Sequence, residues 1–215
     1  MEDAATSRGS RFRRTVHQYE SVLGSPPFAQ VRHGQILVEV NAFAHPHPSQ
    51  WLSVQSYVGQ FLKTRSEHAL VAEHGLEPFE GQVLSLERTL TEKVLALVRA
   101  GYQPDALGEL RAKIRHVYDL YHLLEQESLQ GFFDGAGFDT LVEADDARNN
   151  EFQGDWAKKP LAESALFAGP TQLWPEMQTT YRTDFRAMVC GTMLPEDAVV
   201  TMLERVSRRL RILAV

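Results

Sequence analysis

From Ser85 onward the hydrophobic pattern of this chain is helical, which points to a small strand-containing N-terminal part followed by a helical C-terminal part. Upstream, residues 11 to 19 (RFRRTVHQY) alternate as a strand does. Residues 35 to 43 (QILVEVNAF) form a stronger strand, rich in Ile and Val. The SPP at 25 to 27 separates them, and the small polar residues 1 to 10 are expected to fray. The stretch AHPHPSQW reads as loop, because Pro46 and Pro48 bring no N–H. Residues 50 to 73 carry an indistinct helical pattern, and Val83-Leu84 is a short strand ending at Ser85.

Downstream the period is helical. Ser85 can cap a helix of about 86 to 100, with Glu87 in its first turn and Gly101 at its end. Further helices are expected over about 106 to 126, 137 to 152, 171 to 189 and 195 to 212, the last opened by Pro195. The fold class is therefore α+β, with a small, incomplete N-terminal sheet over 1 to 84 and a helical part over 85 to 215.

Composition removes several function classes. At 215 residues and 43% hydrophobic content, the chain can bury a sizeable core in one domain, or one domain plus an appendage. A net charge of -6 fits neither a basic nucleic-acid coat nor a disordered acidic tail. The single cysteine, Cys190, rules out an internal disulfide framework and any multi-cysteine metal site. No apolar run reaches the length of a membrane span, and the first residues hold no apolar signal core. A cytoplasmic location is the resulting expectation.

Several residues can carry chemistry. Leu86, Leu90, Val94 and Leu97 form one apolar stripe, and Lys93 lies on its edge. A lysine there either snorkels toward a nearby acid or points into a cleft that wants a cation. On the next helix Arg111, Arg115, Asp119 and His122 share a polar flank, opposite Leu110, Ile114, Val117, Tyr121 and Leu124. That flank is either a solvated face with an Arg115–Asp119 pair or a phosphate-facing wall where Asp119 positions Lys93. Glu39 interrupts the β-branched run of ILVEVNAF, and either faces water or stands beside a metal such as Mg²⁺.

Three further features are weaker. His45 and His47 are two apart on an extended segment, but a zinc site needs a third ligand that no motif spacing supplies. Gly9-Ser10 leads into a strand-like segment rather than a helix, which is the wrong context for a phosphate loop. Arg205, Arg208, Arg209 and Arg211 suit a helix C-terminus, with a nucleic-acid patch as the alternative.

The segments VLSLERTLTEKVLALVRAGY and IRHVYDLYHLLE together resemble the AbiEii/AbiGii-type nucleotidyltransferase toxins of abortive-infection toxin–antitoxin pairs. PLAESALF at 160 to 167, YRTDFRAMVCG at 181 to 191 and the strand ILVEVNAF are similar to that family as well. The resemblance implies a polymerase-β-like nucleotidyltransferase sheet, of which 1 to 84 is a remnant. It also implies transfer of a nucleotide from an NTP, in some members onto tRNA, with Mg²⁺ as cofactor and an antitoxin protein as partner. On that reading Lys93 contacts the NTP phosphates and Asp119 is the aspartate of the last motif; Arg111 and Arg115, on the same polar flank as Asp119, are expected to help bind the triphosphate. Glu39 falls where such folds place a third, metal-binding carboxylate.

The sequence also departs from the family. Its members carry a Gly-Gly-x-Ser turn entering a helix and an Asp-x-Asp on a strand, and neither motif occurs here. Those motifs supply triphosphate binding and the paired metal carboxylates. Two expectations follow: a nucleotidyltransferase that is truncated and inactive as given, or a non-catalytic helical module that engages an antitoxin or nucleic acid. A hydrolase built on His45 and His47 is a third, weaker possibility.

Overall fold

The computed structural model describes residues 5–8, 12–20, 34–42, 46–144 and 155–213. The chain divides into two compact units, Pro46–Thr89 and the remainder, Met1–His45 with Leu90–Val215.

In the larger unit, β1 (Ala5–Arg8), β2 (Phe12–Gln18) and β3 (Gln35–Asn41) form an antiparallel sheet in the order β1-β2-β3. Part of the stretch expected to fray is thus a strand, held by the ladder from Ala5↔Thr15 to Arg8↔Phe12. Among the described residues β3 is an edge, and Ile36, Val38 and Val40 on one of its faces are exposed.

The smaller unit pairs β4 (Ser49–Val54) with β5 (Phe79–Leu84), Ser49 opposite Leu84 and Val54 opposite Phe79. Two short helices lie between them, α1 (Tyr57–Thr64) and α2 (His68–Glu73). Ser49, Gln50 and Trp51 therefore belong to a strand rather than to the loop expected there. Pro48 lacks a donor, but its carbonyl still accepts from the Ser85 N–H at 3.0 Å, so the ladder continues up to it. Ser56 caps α1 by accepting from the Gly59 N–H at 3.0 Å.

Helix α3 (Leu86–Gly101) begins as its sequence requires: the Ser85 hydroxyl accepts from the Arg88 N–H at 3.2 Å. Its C-terminal glycine has a packing role. A Cβ at Gly101 would stand 2.9 Å from the Ala165 backbone nitrogen, so only glycine lets that segment approach. The single helix expected over 106 to 126 is two helices, α4 (Ala106–Ala112) and α5 (Ile114–Leu124), broken at Lys113. No proline or glycine marks the break. The two halves follow different partners: α4 packs on the helix Pro170–Thr180, while α5 packs on the last helix, Glu196–Ile212. Leu120, fully buried, takes the core position expected for Tyr121. Helix α6 (Glu127–Asp134) was not legible in the pattern, and α7 (Ala136–Glu143) covers the described part of the helix expected from 137. The helix expected to 189 ends at Thr180 and continues as a π-turn, Tyr181–Phe185, and a 3-10 turn, Arg186–Met188.

The main apolar core is drawn entirely from residues 90 to 210. Two arginines expected to complement the last helix's C-terminus instead bridge elements. Arg209, 7% exposed, donates through Nε to the Phe133 carbonyl at 2.7 Å and through Nη2 to the Gly135 carbonyl at 3.0 Å. It also pairs with Asp139. These acceptors lie at the α6–α7 junction, where helix-end carbonyls have no intrahelical donor. Arg205 pairs with Asp134 at 3.0 Å, but both side chains are substantially solvated. Arg209→Met is expected to cost about 3 kcal/mol in urea unfolding, because it strands buried acceptors and a carboxylate. Arg205→Ala is expected to cost under about 1 kcal/mol. Equal losses would show that Arg209 is not the clamp.

Candidate functional site: a lysine held by two acceptors

Lys93 owes its position to the burial of its own helix. Leu90, Val94, Leu97 and Val98 are fully buried on α3, and Leu95 is nearly so. Lys93 emerges at the margin of that apolar surface with its side chain 20% exposed. A cationic head so placed needs a partner.

Helix α5 supplies two. Ile114, Val117, Leu120 and Leu124 bury its core face, which leaves His116 and Asp119, three residues apart, on one flank. The Lys93 Nζ donates to Asp119 Oδ2 at 2.6 Å. A second, longer contact of 3.4 Å joins the same nitrogen to His116 Nδ1. All three residues belong to the larger unit. The carboxylate is 39% exposed, so the centre is open to solvent on one side.

Burial holds the His116 ring far below its ordinary range, at a pKa of about 4. The Lys93, Arg115 and Lys113 charges push in the same direction, while Asp119 opposes them. A neutral ring beside an ammonium presents a lone pair, since an ammonium has only donors to offer.

The other residues singled out in the sequence are placed as follows. Arg115 is exposed at the start of α5, near enough for its charge to act on His116. The partner of Asp119 is Lys93 rather than Arg115. Arg111 points both Nε and Nη2 at the Glu176 carbonyl, at 3.1 and 2.7 Å, and so ties α4 to the helix Pro170–Thr180. His122 packs edge-on against Tyr118 and Tyr121. Glu39 lies on β3 opposite Arg14, whose Nε is 3.8 Å from its carboxylate. Its neighbour is thus a guanidinium and not a second carboxylate. Among the described residues no three His, Cys, Asp or Glu side chains cluster as a metal site would require. As placed, Glu39 does not fit the role of sole Mg²⁺ holder. His45, Gly9 and Ser10 lie outside the described residues, and His47 Nδ1 meets the Ser49 hydroxyl at 3.4 Å.

His116 is the member of this centre that the sequence did not reveal. Its offset of three from Asp119 was available as a signal, but a histidine on a half-buried helix flank usually has only a packing role.

The ring has a consequence for stability. Unfolded, it takes a proton near pH 6.5; folded, it stays neutral down to about 4. Its contribution to stability is therefore present above about pH 6.5 and is lost as pH falls toward 4. The melting temperature is expected to fall across that window, and to fall less steeply in His116→Gln. Identical slopes in the two proteins would show that the ring is not held neutral.

Neither the curated proteins nor the solved structures include a match to this chain. The family described as nucleotidyl transferase AbiEii toxin, type IV toxin–antitoxin system, matches residues 2–203. That span includes the centre and both helices that build it, and the chain belongs to the AbiEii nucleotidyltransferase toxin family.

Proposed function

We propose that Lys93 and Asp119 form the phosphate-binding half of a nucleotidyltransferase toxin site. Lys93 takes an oxygen of a nucleoside triphosphate, and Asp119 holds the ammonium in place. The observation that carries this reading is the 2.6 Å contact between two helices that meet nowhere in sequence. A partly desolvated ammonium with a donor to spare is a suitable phosphate ligand. Arg115, exposed beside it, adds positive charge at the approach, whereas Arg111 acts chiefly on the backbone of Glu176. The nucleotide acceptor on this reading is tRNA, the location is the cytoplasm, and an antitoxin protein is the partner. Among the described residues no helix is long and apolar enough to cross a membrane.

We further propose that these residues alone bind without transferring. Nucleotidyl transfer depends on metal-borne charge between attacking and leaving oxygens. The sequence contains neither Gly-Gly-x-Ser nor Asp-x-Asp, and Glu39 faces Arg14. The pairing of Glu39 with Arg14 is also what favours the second reading, a binding module that engages an antitoxin or nucleic acid without catalysis.

The test is to incubate the chain with Mg²⁺, each labelled NTP and total tRNA, and to measure NTP binding in parallel by equilibrium dialysis. Weak binding, on the order of millimolar, is expected, falling at least about tenfold in Lys93→Ala. Label should not enter tRNA. Incorporation that disappears in Lys93→Ala would overturn the inactive reading. Binding that is unchanged in Lys93→Ala would overturn the site.

A further inference from the structure

The contact between Lys93 and His116 is longer than that with Asp119, yet it constrains more. An ammonium carries three N–H groups in fixed tetrahedral directions. One carboxylate alone leaves the head free to swivel about the Nζ–Oδ2 line. A second acceptor on the same helix removes that freedom. His116 and Asp119, at positions i and i+3 of α5, lie side by side, with Nδ1 3.4 Å and Oδ2 2.6 Å from the Lys93 Nζ; a ring bare at Nδ1 can therefore take a second N–H beside the one that Asp119 accepts.

The chemical identity of the second acceptor matters. A second carboxylate would make the centre net negative and repel a phosphate. A protonated imidazole has no lone pair and would push the ammonium away. Only a neutral acceptor fixes the direction of the cation while leaving its charge compensated once. The surroundings keep the ring in that form: the charges acting on it are Lys93 from α3, and Lys113, Arg115 and Asp119 from α5 and the residue before it. Three of these four are cations. Helix α6, the last helix and the π-turn also pack on α5, but the charges that act on the ring come from α3 and the α5 stretch.

We propose that His116 is a positioning residue: its Nδ1 accepts from Lys93 and, together with Asp119, aims the remaining ammonium N–H at the phosphate oxygen of an incoming nucleoside triphosphate. The inference rests on the reading of Lys93 as a phosphate ligand and adds the group that sets the direction of that cation. It also specifies the tautomer, with the ring proton on Nε2.

Two measurements test it on the full chain. The first needs no ligand. Long-range ¹H–¹⁵N NMR of the imidazoles at pH 7 should show His116 with a protonated Nε2 and a bare Nδ1, and with no titration between pH 5.5 and 8. The second uses ATP, GTP, CTP and UTP as probes in equilibrium dialysis. His116→Phe, which fills the space but accepts nothing, should bind the preferred triphosphate about 3- to 10-fold more weakly, as expected for one lost hydrogen bond. His116→Gln, whose amide oxygen can accept, should recover most of that loss. The ratio of wild-type to His116→Gln affinity should stay constant from pH 5.5 to 8.

A ring protonated on Nδ1, with triphosphate binding intact, would overturn the role of His116 and leave the reading of Lys93 standing. So would a His116→Phe protein that binds as wild type does. A wild-type chain that binds none of the four triphosphates would overturn the reading of Lys93 and the phosphate-directed role with it. Should His116→Phe fail to fold, the tautomer and the His116→Gln ratio decide the question.

Discussion

The burial of α3 is the constraint on which the rest of the helical unit depends. Leu90, Thr91, Val94, Leu97 and Val98 are fully buried, and together they make one continuous face of this helix. Charged side chains on such a helix must reach its margins or find a partner. Lys93 is tolerated because its head reaches the margin, where α5 presents a carboxylate and a ring nitrogen. The same packing that builds the core therefore brings this ammonium to its two neighbours on α5, and that meeting point is the candidate site.

A second theme is the use of long cations to finish helix ends. Arg209 serves the carbonyls of Phe133 and Gly135, and Arg111 that of Glu176. In each case a donor from a distant helix meets acceptors near a helix end or on a neighbouring helix surface. Such contacts are worth most when buried, which separates Arg209 from the solvated Arg205. Arginines that look like an anion-binding set in one dimension are in part structural fasteners in three.

The span matched by the AbiEii family, residues 2–203, includes Lys93 and Asp119, the two positions that the structure brings together. Glu39 has Arg14 as its cross-strand neighbour. Antiparallel pairing sets that neighbour by register, so the charge facing Glu39 is a property of the sheet and not of its own strand. The contrast is between a lysine with two possible acceptors at hand and a carboxylate whose described neighbour is a guanidinium.

Much of this was legible in one dimension. The helical run after Ser85, the serine cap, the edge position of Lys93 and the stripe of Leu90, Val94 and Leu97 follow from local spacing, because a helix repeats every 3.6 residues whatever packs against it; Leu86, expected in that stripe, is instead 42% exposed. The motif resemblance rests on the same local segments. The break at Lys113 was not legible, since it arises from α4 and α5 packing on different helices. The strand at Ser49 was hidden because Pro48 removes a donor without removing an acceptor. His116 was overlooked because its worth depends on where another helix places an ammonium. Sequence by itself determined α3 and the last helix, the class of fold and the pair Lys93 and Asp119 as candidates to meet. Only the tertiary structure decided that Arg111 would meet a backbone carbonyl, that Arg14 would oppose Glu39 and that His116 would stay neutral, because burial and charge contacts between distant segments exist only once the chain has packed.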